Sequence, residues 1–105
     1  MALLKFKFGV NVRKTTIIAA AVINAANALG ITKDITVTSG NDSQHTDNSK
    51  HYSEEALDFR TKNLTVGEKG LLVVAVRKRL GPDYDVILEA AGKANEHLHI
   101  EYDPA

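Results

Sequence analysis

Four short stretches of the chain, 35–38, 56–60, 84–88 and 97–102, read as β-strands, and their interleaving with two helical stretches most limits the fold. Residues 35–38, Ile-Thr-Val-Thr, are β-branched throughout and alternate, as a strand with one buried face requires. Residues 56–60, Ala-Leu-Asp-Phe-Arg, also alternate in polarity. Residues 13–29 are rich in alanine and carry Ile18, Val22, Ala25 and Leu29 near helical spacing. Gly30 follows, a natural stop because it takes positive φ without steric cost. A second helix is predicted over 67–80, starting near Thr65 with Glu68 as its capping partner and ending at Gly81-Pro82. A turn over 90–96 would join 84–88 and 97–102 as a hairpin, and Lys5-Phe6-Lys7-Phe8 suits an edge strand guarded by its lysines. This order predicts an α+β domain, a small, mainly antiparallel sheet packed with two or three helices.

At 105 residues one domain, 1–105, is expected. The chain has no cysteine, which excludes disulfide scaffolds, Cys-based zinc fingers, iron–sulfur ligation and thiol nucleophiles. A metal could be held only by His, Asp and Glu. Thirteen Lys and Arg balance thirteen Asp and Glu, so the chain is not the strongly basic kind that binds nucleic acid by neutralising phosphates. No segment reaches the run of about 18 apolar residues that spans a bilayer, so no membrane partner is expected. Lys5, Lys7, Arg13 and Lys14 precede an apolar run at 17–23, but Asn24 and Asn27 interrupt its continuation. The run is therefore read as a helix of the mature domain, with synthesis in the cytoplasm without a signal peptide. Arg77-Lys78-Arg79 falls where a helix dipole favours cations. Residues 39–50 are almost wholly polar and predict a long loop of the kind that often carries function. Its Asp42, Asp47 and Asn48 lack the spacing of an EF-hand calcium loop.

All four histidines, His45, His51, His97 and His99, lie in two short polar segments outside the predicted helices. Imidazole is the commonest neutral metal ligand, and catalytic zinc takes three protein ligands with a fourth position left open. Asp58 stands between two apolar residues of a predicted strand, and a buried carboxylate there needs a counter-charge or a metal. Pairing of Asp58 with Arg60, with His51 exposed to solvent, accounts for the spacing equally well. If 97–102 is extended, His97, His99 and Glu101 share one face while Leu98, Ile100 and Tyr102 pack inward. Standing alone, that segment is better read as a polar, solvent-facing strand edge.

Taken together, Ser49-X-His51, Ala56-X-Asp58 and Glu96-X-X-His99, with Tyr102 following, resemble the zinc D-Ala-D-Ala carboxypeptidase and phage endolysin family. That family belongs to the group with the Hedgehog/DD-peptidase fold, and the resemblance covers roughly residues 31 to 104. It implies zinc bound by His51, Asp58 and His99. Glu96 matches the family's catalytic carboxylate, His97 a position that serves as base or transition-state stabiliser in relatives, and His45 a second active-site histidine. The implied reaction is hydrolysis of a peptide bond in a peptidoglycan stem peptide or cross-bridge, at the bacterial cell wall if the protein is a phage lysin.

The identity of the base stays open at this level. Strand alternation sets His97 beside His99 and Glu96 on the other side unless the chain bends, and Glu89 could approach across the hairpin. Family spacing favours Glu96, then His97, then Glu89. The chain departs from the family pattern at Glu54, where glycine is usual, at Leu98, where tryptophan often stands, and at Asn41, near which an arginine is common. Those departures motivate an alternative: a non-catalytic zinc-binding module of the same fold with a partner-binding or virion structural role.

Overall fold

The computed structural model describes residues 1–10, 16–40 and 56–104. Along the chain run β1 (Leu4–Phe6), α1 (Thr16–Ala28), β2 (Ile35–Ser39), β3 (Ala56–Arg60), α2 (Val66–Leu80), β4 (Tyr84–Glu89) and β5 (His97–Tyr102). The fold is α+β, as the order of elements predicts, and the predicted hairpin is present as β4 and β5. The five strands form one sheet in the order β1-β2-β3-β5-β4. That sheet is mixed, which corrects the expectation of a largely antiparallel one: β1 pairs with β2 in parallel, and the other three ladders are antiparallel. The reason is α1, which carries the chain back so that β2 starts from the same end as β1. Two helices occur among the described residues.

Helix α1 buries Ile18, Ala19, Val22, Ala25 and Ala26, one continuous stripe. Leu29, expected on that stripe, is instead at the exposed end of the helix. Asn27 ties the N-terminus down: its Oδ1 accepts from the Ala2 amide at 2.6 Å and its Nδ2 donates to the Ala2 carbonyl at 3.3 Å. Gly30 closes the helix at φ 78°.

Helix α2 begins at the capping box read from the sequence. The Glu68 amide donates to Thr65 Oγ1, and the Thr65 amide donates to Glu68 Oε1. Lys33 Nζ also reaches Glu68 Oε1 at 2.8 Å, which anchors the helix start to the segment before β2. Thr65→Ala is expected to destabilise by about 1 kcal/mol, lowering the melting temperature by about 5 °C in a thermal melt. At the other end Gly81 takes φ 85° and its amide caps the Arg77 carbonyl. Arg77 does more than meet the dipole: its Nε and Nη2 donate to the Val86 carbonyl at 3.2 and 2.8 Å, capping the free edge of β4.

Both helices supply the core on one face of the sheet. Ile35 and Val37 of β2, Leu57 and Phe59 of β3, Val86 of β4, and Leu98 and Ile100 of β5 pack with Ile18, Val22, Leu72 and Val76. Tyr102 reaches only the margin of this core, where its ring meets that of Tyr84 at 5.2 Å. Because strand side chains alternate, the residues between these core positions must point to the opposite face. That alternation creates the site.

Candidate functional site

The ladders bring three rows of side chains onto the face away from the helices. Asp58 of β3 is opposite His99 of β5, which is opposite Ile87 of β4. Arg60, His97 and Glu89 form the row on one side, and Ala56, Glu101 and Asp85 the row on the other. Residues 41 apart in the chain thus become cross-strand neighbours. His99 Nδ1 is 2.7 Å from Asp58 Oδ1, and His99 Nε2 is 2.6 Å from Glu101 Oε1. The His99 side chain is 13% exposed and that of Asp58 17%, so water screens their interaction weakly.

His97 and Glu89 complete the cluster. His97 Nε2 lies 3.5 Å from Glu89 Oε1 and 4.0 Å from Asp58 Oδ1, and Glu89 Oε1 is 3.8 Å from His99 Nδ1. His97 Nδ1 is 3.0 Å from the Asn95 carbonyl oxygen. A carbonyl can only accept, so Nδ1 carries the proton in this contact. In neutral His97 the lone pair is therefore on Nε2, aimed towards Asp58 and Glu89.

The charge state of His99 follows from its neighbours. The Asp58 hydrogen bond raises its pKa to about 9, with the Glu101 hydrogen bond and both negative charges acting the same way against the opposing effect of burial. Without a metal, His99 is an imidazolium at neutral pH, clasped by two carboxylates. Further along, Asp85, Glu101 and Asp103 bring ligand atoms within 4.8 Å of one another. Desolvation first, then the hydrogen bond and charge of Asp103, raise the Asp85 carboxyl above its usual range. Exposed acids crowd in this way on many surfaces.

Asp58 and His99 have the chemistry of zinc ligands, one carboxylate oxygen and one imidazole nitrogen. Two ligands on a tetrahedral zinc stand about 3.3 Å apart, so the observed 2.7 Å pair need open by only roughly half an ångström. Asp58 and His99 thus suit two ligand positions of such an ion, while among the described residues the three groups whose ligand atoms all converge are Asp85, Glu101 and Asp103. His51, which the resemblance implies as third ligand, and His45 lie outside the described residues, as does the polar loop.

Glu96 sits elsewhere. It shares the parity of Leu98 and Ile100, and its side chain enters the helix side of the sheet, 3% exposed. There Thr61 Oγ1 donates to its Oε2 at 2.6 Å, Lys69 Nζ donates to its Oε1 at 2.9 Å, and the Gly92 amide donates to its Oε1 at 2.9 Å. Those three partners, Gly92 first, lower its pKa to about 2. The strand thus places His97 with Asp58 and His99 and turns Glu96 away from them. Glu89, the third candidate for the base, is the acid that reaches the cluster.

Glu101 is the residue whose part the sequence reading missed. Its place on the histidine face was legible from alternation, but nothing in the sequence indicated that it would contact His99 rather than solvent. Comparison with family models, with curated proteins and with solved structures finds no match. Among the described residues no helix is long and apolar enough to cross a membrane.

Proposed function

We propose that the chain is a zinc-dependent peptidase with the Hedgehog/DD-peptidase fold, acting on a stem peptide or cross-bridge of bacterial peptidoglycan. The observation that carries this reading is the approach of Asp58 and His99 to 2.7 Å from separate strands, with His97 and Glu89 beside them on the face free of helices. Asp58 and His99 would hold the ion together with His51, the third ligand that the family resemblance implies. When bound, zinc supplies Lewis-acid polarisation of the scissile carbonyl and of water.

The protein's own groups handle the proton. His97 presents Nε2 while the Asn95 carbonyl holds Nδ1–H, so the ring takes the proton of the attacking water without turning over. Glu89, 3.5 Å from Nε2, stabilises the imidazolium that forms. The same proton then passes to the leaving amine nitrogen as the C–N bond breaks, giving a carboxylic acid and an amine; the acid's proton then ionises and is taken up by the amine.

Digestion of purified peptidoglycan tests the reading: new free amines are expected with zinc supplied, none after chelation, and recovery on adding zinc back. His97→Ala should keep zinc and reduce turnover by about 10²–10⁴-fold. Zinc uptake with no amine release from any wall preparation would favour the non-catalytic module.

A further inference from the structure

Glu101 follows His99 by two residues on β5, and alternation sets both on the face free of helices. Its neighbours across the ladders leave it one favourable direction. Ala56 opposite it on β3 offers only a methyl group, and Asp85 opposite it on β4 is another carboxylate. Like charges facing each other across a ladder repel. Glu101 instead reaches along its own strand to His99 Nε2, at 2.6 Å, while the other ring nitrogen faces Asp58 and Glu89.

We propose that Glu101 is the positioning residue of the metal centre. It accepts the Nε2–H of His99 and so selects the tautomer and ring rotation in which the Nδ1 lone pair points to the ion beside Asp58. This rests on the zinc reading above. A carboxylate on the far nitrogen of a ligating histidine also raises the basicity of the ligating one, and losing such a partner costs about 10–100-fold in metal affinity.

Zinc dissociation constants from chelator competition test this, together with ¹⁵N spectra of the His99 ring in the zinc-loaded protein. Glu101→Ala is expected to weaken zinc binding by about 10–100-fold. Glu101→Met, which fills the same space without an acceptor, should behave alike and serves if the alanine variant does not fold. Glu101→Gln keeps an acceptor oxygen and should recover part of the loss. The wild-type spectrum should show His99 protonated at Nε2 and coordinating through Nδ1. Wild-type affinity in Glu101→Met, or coordination through Nε2, overturns the assignment while leaving the zinc reading intact. An equal loss in Asp103→Ala would put the ion at the acidic cluster and overturns the zinc reading along with the assignment. A wild-type protein that takes up no zinc overturns both.

Discussion

On the proposed zinc-peptidase reading, Asp58→Ala is expected to lower zinc affinity and peptidoglycan hydrolysis by on the order of 10³-fold, because ligand loss would remove several kcal/mol of charge stabilisation. The sheet should survive the change. Asp58 is on the face away from the helices, and the core of β3 is made by Leu57 and Phe59 on the other side. Calorimetric titration with zinc and amine release from peptidoglycan measure the two losses. Wild-type values in a folded Asp58→Ala protein would remove Asp58 from the metal centre.

The same residue has a signature that needs no metal. His99 is raised to about 9 in the folded protein, chiefly by its hydrogen bond to Asp58, against an ordinary value of 6.5. A group raised on folding binds protons more tightly in the folded state, so its contribution is complete below pH 6.5 and is lost as pH rises through 9. Zinc-free wild type should therefore lose stability between those limits. Asp58→Ala should give a flatter profile over the same range. Melts in zinc-free buffers from pH 6 to pH 9.5 check the sign.

Glu96→Ala is expected to lower the melting temperature by about 15 °C, from a loss of about 3 kcal/mol. Glu96 joins three parts of the fold: the 90–96 turn through the Gly92 amide, the residue after β3 through Thr61, and α2 through Lys69. Removing its carboxylate leaves the Lys69 ammonium, only 16% exposed, without its counter-charge. The loss falls at the residue immediately before His97, where β5 enters the sheet.

Acid should act in the same direction. The Glu96 carboxyl is lowered from 4.5 to about 2, so it binds protons less tightly when folded. Its contribution is present above pH 4.5 and is lost as pH falls through about 2. Glu96→Gln should flatten the acid limb of the stability profile, while the fraction that remains folded keeps its zinc and its turnover. A Gln variant that melts like wild type yet fails to cleave would move the proton-handling role back to Glu96.

Much of this architecture was legible along the chain. The alternation of 35–38 and 56–60, the Thr65–Glu68 capping pair and the stops at Gly30 and Gly81 are local signals, each set by the residues that display it. The mixed character of the sheet was not, because the direction of β1 relative to β2 depends on how α1 returns the chain. Leu29 satisfied helical spacing and still ended exposed, since a periodic stripe continues only as far as the surface it packs against.

The site divides along the same line. By itself the sequence determined which side chains share a strand face: His97 with His99 and Glu101, and Glu96 with Leu98 and Ile100, because a period of two admits no other arrangement in an extended chain. Tertiary structure decided which residues from other strands those faces would meet. Register across β3, β5 and β4 put Asp58 against His99 and Glu89 against His97, and the packing of α2 put Lys69 against Glu96. Pairing between distant segments depends on the closure of the whole sheet and the burial of its opposite face, which no local pattern encodes.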